Sequence, residues 1–121
     1  MKRYPPMVNN DFLTFEVQDL SQALEALAEI GYRLAHPEVG EISGFDNSGD
    51  RVVFESEEQA ISALNTGSSG IQVWRSPGDD YFLSLEGARL FLNLDGHSKL
   101  ERKLLYGALS KRGVEFEEEW G

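Results

Sequence analysis

The chain lacks cysteine, which excludes disulfide bonds, a thiol nucleophile and cysteine-ligated zinc. It also lacks any apolar run approaching the roughly 18–20 residues of a membrane-spanning helix. Lys2 and Arg3 stand near the start, but no apolar stretch of the kind found in a secretion signal follows them. These absences predict a cytoplasmic protein with no membrane partner.

Positive charge is scarce. The chain has 11 Lys and Arg against 21 Asp and Glu, a net charge of −10. Because phosphate attracts Lys and Arg, this balance argues against nucleic acid as a partner. Leu, Ile, Val and Phe make up 33 of 121 residues, well above the ~20% below which high charge accompanies disorder. We predict one domain over residues 1–121, with an irregular N-terminal segment at 1–10.

Three helices are predicted from their start and stop signals. Each follows a residue that can cap the first amides and stops near a glycine that can adopt a left-handed conformation. The third also has Glu101 at the capping-box spacing, and its expected apolar face includes Leu100 and Leu104 beside Leu105. The cap and glycine pairs are Asp19 and Gly31, Ser56 and Gly67, and Ser98 and Gly113.

Seven strands are predicted in the remaining sequence, giving the order β-α-β-β-α-β-β-β-α-β. This order is typical of an α+β domain with a mainly antiparallel or mixed sheet. Because the last helix joins strands six and seven, those two could run parallel through a crossover. The predicted strands cover residues 12–17, 42–45, 51–55, 71–75, 81–85, 89–94 and 114–119.

No catalytic, nucleotide or metal motif is present, so no cofactor and no metal are expected. The two histidines, His36 and His97, have no partner at a recognised metal spacing and are predicted as exposed loop residues. The run at 67–70 follows a helix, the reverse of the order in a phosphate-binding loop. The run at 46–50 lacks the glycine of a calcium loop and is predicted as a hairpin turn.

One segment of this otherwise acidic chain carries a net positive charge. Residues 97–112 hold five bases and one acid, whereas residues 1–96 hold 16 acids and six bases, and residues 113–121 hold four acids and no base. The third helix is therefore predicted to be basic on its exposed side. The bases are Lys99, Arg102, Lys103, Lys111 and Arg112.

The last strand carries the sharpest local pattern, because alternation sends Glu115, Glu117 and Glu119 to one side. Such a row of carboxylates protects an edge strand from aggregation, docks a cationic partner, or pairs internally with Arg75 or Arg89. The sequence leaves these three alternatives open. The opposite side of the strand would hold Val114, Phe116 and Trp120.

An aromatic surface is predicted on the meander. If Glu86 and Gly87 form a two-residue turn, Phe82 lies opposite Phe91, on the face away from the leucine-rich core. Trp74 joins this face only for one length of the turn at Pro77 and Gly78, which follows it in the chain. Either helices cover both faces of the sheet, or this face is exposed and indicates an interface.

These features favour a small acidic protein-binding module that engages a basic protein partner, a character shared with immunity proteins that neutralise cationic toxins. The first alternative is a small-molecule-binding or enzymatic domain with a pocket. The second is a homo-oligomeric structural domain, such as a homodimer through the phenylalanine face. The candidate protein-binding residues are Glu115, Glu117, Glu119, Phe82, Phe91 and Trp74.

Overall fold

A computed structural model describes residues 11–120, with the backbone only at Trp120. The predicted irregular segment at residues 1–10 lies outside this range. Seven strands and three helices follow one another in the predicted α+β order. They are β1 (Asp11–Glu16), α1 (Leu20–Glu29), β2 (Ile42–Asp46), β3 (Arg51–Phe54), α2 (Glu57–Asn65), β4 (Ser69–Ser76), β5 (Asp79–Glu86), β6 (Arg89–Asn93), α3 (Lys99–Lys111) and β7 (Phe116–Trp120).

The seven strands form one antiparallel sheet in the order β3-β2-β4-β5-β6-β1-β7. Strand β1 lies between β6 and β7 and is antiparallel to both. Strands β6 and β7, which α3 connects, therefore run in the same direction but are not neighbours. The prediction that these two strands could run parallel through a crossover is confirmed, with the first strand of the chain lying between them.

Two helices begin at side-chain caps, as predicted. The hydroxyl of Ser56 accepts a hydrogen bond from the amide of Gln59 at 3.1 Å. Ser98 and Glu101 form a complete capping box, in which each side chain accepts from the other residue's amide. Asp19 makes no such bond, because a 3-10 turn over Val17–Asp19 leads directly into α1. No described helix is long and apolar enough to cross a membrane.

The core lies between the three helices and one face of the sheet. Alternation along β1 and β6 sends Leu13, Phe15, Leu90 and Leu92 to this face, and each is at most 1% exposed. Full burial of one such side chain contributes roughly 1.5–3 kcal/mol. Leu105 of α3 joins this core and is also fully buried. This single core is consistent with one domain.

The predicted apolar face of α3 is partly wrong. Leu105, Ala108 and Leu109 are buried, but Leu100 is 70% exposed and Leu104 is 52% exposed. Leu105 and Leu109, four residues apart, form the buried strip of the helix, whereas Leu100 and Leu104 lie on the adjacent strip, which is buried only at Ala108. These two leucines therefore face solvent in the described structure.

The turn between β5 and β6 differs from the prediction by one residue. Glu86 pairs with Arg89, so Gly87 and Ala88 are the two turn residues. Gly87 has a φ of +63°, and no other residue type in the described chain has a positive φ. A two-residue turn of this kind places its glycine first, which moves the register and sets Phe91 opposite Ser84 instead of Phe82.

The turn between β2 and β3 is a hairpin turn, as predicted. The Asp46 carboxylate accepts hydrogen bonds from the amides of Ser48 and Asp50, both at 2.9 Å. Gly49 has a φ of +84°, which only glycine adopts readily. The carboxylate thus stabilises its own turn.

Candidate functional site

Aromatic side chains cross the sheet face that lies opposite the helices. Phe12 and Phe91, on β1 and β6, contact edge to face with ring centroids 5.9 Å apart. Phe45 and Phe82, on β2 and β5, make a similar contact at 5.9 Å. None of these four rings belongs to the core under the helices. We call them the aromatic band, and within residues 11–120 no helix covers them.

A glycine allows Phe45 and Phe82 to meet across the intervening strand. Gly70 of β4 pairs with Phe45. A Cβ atom at Gly70 would lie 2.2 Å from Cζ of Phe82, well inside contact distance. The missing side chain therefore provides the space in which the two rings pack.

Trp74 lies on the same face, at the far end of β4, but another ring covers it. The imidazole of His36 packs against the indole at 4.6 Å. The indole Nε1 is buried and has no hydrogen-bond partner within the described residues. Trp74 is therefore half-buried at the margin of the face. His36 is likewise half-buried and not an exposed loop residue, which corrects the prediction.

The predicted glutamate row stands on the face that carries the aromatic band. Glu117 pairs with Thr14, and Glu119 pairs with Phe12, so both project to this side. Glu115 precedes the strand and is exposed, so the row within β7 is shorter than predicted. The glutamate row and the aromatic surface, which were predicted separately from the sequence, therefore lie on one face of the sheet. The Trp120 side chain lies outside the described structure.

Arginine neutralises part of this row, as one of the predicted alternatives requires. Arg89 lies 2.5 Å from Glu16 and 3.9 Å from Glu117, and it also donates to the hydroxyl of Thr14 at 2.8 Å. Glu86 and Glu119 have no ion-pair partner within residues 11–120. The open face therefore keeps a surplus of negative charge.

The predicted basic side of α3 is largely neutralised by ion pairs. Arg112 contacts Glu25 and Glu29, at 3.0 and 3.1 Å. Lys111 also contacts Glu29 at 3.3 Å, and this ammonium lowers the pKa of that carboxyl. Arg102 contacts Asp11 at 3.2 Å. Lys99 and Lys103 form no ion pair among the described residues, so the unpaired positive charge is smaller than the sequence indicates.

A shallow cleft separates α1 from α2, with two adjoining cavities of about 130 and 230 Å³ that share Leu24 and Ile61. Neither cavity is lined by a histidine. His36 packs on the open face, whereas His97 stacks on Tyr81 on the helix side. Because the sheet separates the two histidines, they do not form a shared catalytic site.

The sequence missed a polar cluster on the helix side of the sheet. Ligand atoms of Asp79, His97 and Glu101 lie within 4.8 Å of one another. The side chain of His97 is only 5% exposed, so its predicted place in an exposed loop is wrong. The four-residue spacing of His97 and Glu101 at the start of α3 was the available signal. No sequence pattern links them to Asp79, which comes from β5.

No protein-family model, curated protein or solved structure matches this chain. The assignment of a site therefore depends on the geometry and charge of the chain itself.

Proposed function

We propose that this protein binds a basic protein partner through the open face of its sheet. The observation that carries the proposal is the aromatic band, which lies on a face without a helical cover in residues 11–120. Contiguous apolar surface rimmed by polar groups is characteristic of an interaction site. Aromatic side chains, phenylalanine among them, are enriched in protein interfaces relative to the rest of the surface.

The negative charge of the open face favours a basic partner. Glu117 and Glu119 lie beside the band on β7, and Glu86 lies at the end of β5, while Arg89 is already engaged by Glu16 and lies 3.9 Å from Glu117. Lysine or arginine on the partner would pair with these carboxylates, and the net charge of −10 would steer the encounter. A second copy of this chain is a poorer occupant, because two such faces would bring like charges together.

The positions of the cavities and of the two histidines favour a function in binding over one in catalysis. The clefts beside α1 hold no histidine, and the two histidines lie on opposite sides of the sheet. An inhibitor of a cationic toxin is one class of protein that needs only such a surface. We place the interaction in the cytoplasm, with which the lack of cysteine agrees.

Affinity capture with a matched pair of variants tests this function. The first variant, Phe82→Ser with Phe91→Ser, removes two rings of the aromatic band. The control, Leu100→Ser with Leu104→Ser, makes similar changes on α3, at side chains 70% and 52% exposed. Lysates of the source cells are applied at low and high salt, and captured proteins are quantified by mass spectrometry.

The expected result is a partner with a basic isoelectric point that the wild type and the control capture at low salt. High salt weakens this capture, and the phenylalanine variant loses it. Capture that is equal for both variants contradicts the proposal. So does a partner that is acidic, and so does wild-type protein that captures nothing.

Sedimentation of the wild type tests the homodimer as the other occupant of this face. We expect a monomer whose mass does not change with concentration. A dimer that the phenylalanine variant abolishes would assign the face to a second copy and overturn the proposal of a basic partner.

A further inference from the structure

The loop before α3 places a buried imidazole against two carboxylates. The side chain of His97 is 5% exposed, and its Nδ1 lies 3.8 Å from Oδ1 of Asp79. One ligand atom each from Asp79, His97 and Glu101 lies within 4.8 Å of the other two. Side-chain Nδ1 of His97 has no hydrogen-bond partner among the described residues.

The tautomer of His97 follows from its other nitrogen. Nε2 lies 2.8 Å from the carbonyl oxygen of Asp80. Because a carbonyl oxygen only accepts, Nε2 carries the proton and donates it. In the neutral ring, the lone pair is therefore on Nδ1, which is directed at the carboxylates. Metal-binding histidines show this arrangement, in which the second nitrogen donates to a backbone carbonyl.

Neighbouring groups hold this geometry. The ring of His97 stacks on Tyr81 with a centroid distance of 3.8 Å and an interplanar angle of 12°. Tyr32 donates a hydrogen bond to Oδ1 of Asp79 at 2.7 Å. Glu101 is fixed by the capping box with Ser98.

We infer that Asp79, His97 and Glu101 form a site for a divalent first-row transition metal ion, with Zn²⁺ as the representative. One imidazole nitrogen and two carboxylate oxygens form a ligand set that such ions accept, whereas Mg²⁺ and Ca²⁺ prefer oxygen alone. The ligand atoms must close by less than an ångström or so to reach the usual bond lengths of about 2.0–2.2 Å. Glu101 is 32% exposed, which leaves a path from solvent.

Arg75 limits the affinity of this site. Its guanidinium contacts Oδ2 of Asp79 at 2.6 Å and Oε2 of Glu101 at 3.1 Å. Oδ1 of Asp79, the oxygen nearer His97, is not one of its contacts. The arginine thus orients both carboxylates as an outer-shell partner while its positive charge opposes a second cation. We expect binding weaker than that of structural zinc sites.

Calorimetric titration of the full chain with Zn²⁺ tests the site, and the chain supplies its own control because it has only two histidines. The wild type should bind one Zn²⁺ per chain and give no heat with Mg²⁺. His97→Gln should weaken Zn²⁺ binding by about tenfold or more. His36→Gln, on the opposite face of the sheet, should leave the affinity unchanged.

A spectroscopic measurement on the wild type keeps the test valid if His97→Gln fails to fold. With only two imidazoles, their ¹⁵N resonances can be assigned, and Zn²⁺ should shift Nδ1 of His97 while the Nε2 proton persists. Three results would overturn the inference: the absence of Zn²⁺ binding, an equal loss of affinity in both histidine variants, or a Zn²⁺-induced shift confined to His36.

Discussion

The two faces of this sheet differ in what packs against them. Helices cover one face, where Leu13, Leu83 and Leu90 are fully buried. The other face carries two contacting pairs of phenylalanines, and no described helix lies over them. Both faces are rich in apolar side chains, so apolar content alone does not explain the difference. On the helical face apolar residues stabilise the fold, and on the open face we propose that they bind a partner.

Two adjacent residues of β5 provide the strongest test of this comparison. Leu83 points to the helical core, and Phe82 points to the open face. Leu83→Ala should lower the free energy of unfolding by about 2–5 kcal/mol, because it leaves a cavity in a packed core. Phe82→Ala should lower it by about 1–2 kcal/mol, because solvent and neighbouring rings fill the space. Urea denaturation of both variants measures the difference, and equal losses would contradict the comparison.

Two glycines where β2 meets β4 test how the open face is supported. A Cβ atom at Gly44 would lie 1.8 Å from the carbonyl oxygen of Gly70, which cannot move without shifting the strand. Gly44→Ala should therefore cost about 3 kcal/mol or prevent folding. A Cβ atom at Gly70 would displace the Phe82 ring and lie 2.7 Å from the carbonyl oxygen of Leu83, a milder backbone clash than that at Gly44. Gly70→Ala should therefore lower the free energy of unfolding by about 1–3 kcal/mol. Thermal unfolding ranks the stability losses of the two variants. A larger loss for Gly70→Ala would contradict this ranking and show that the strands adjust more readily than the rings.

Polar contacts provide a smaller comparison. Tyr32→Phe, on the helical side, removes a hydrogen bond to the carboxylate of Asp79 and should lower the free energy of unfolding by about 1.5–3 kcal/mol. Ser43→Ala, on the open face, removes a neutral bond to Gln72 and should cost about 0.5–1.5 kcal/mol. Tyr81→Phe is the control with almost no expected effect, because this buried hydroxyl has no described partner. An equal loss of stability in Tyr81→Phe and Tyr32→Phe would contradict the stabilising role given to the hydrogen bond between Tyr32 and Asp79.

Local signals made most of the elements predictable from sequence. Ser56 and Ser98 mark helix starts through bonds to amides three residues away, and such caps act within one helical turn. Alternation correctly placed Glu117 and Glu119 on one side of β7. These features depend only on residues that are close in the chain.

Non-local features could not be predicted in the same way. Nothing near β1 in the sequence indicates that it would insert between β6 and β7 and bring Phe12 beside Phe91. The register of β5 and β6 depended on which turn position Gly87 occupies, and the other choice moved Phe91 by two residues. The burial of His97 required Tyr81 from a different element.

Nuclear magnetic resonance tests most directly whether the open face is the binding surface. The ¹⁵N-labelled protein, with its aromatic rings labelled, is titrated with the basic partner obtained by affinity capture. We predict shifts concentrated at Phe12, Phe82, Phe91 and Glu119, with the resonances of Leu100 unchanged. Shifts confined to α3 or to the cleft between α1 and α2, with the aromatic band unchanged, would contradict the account.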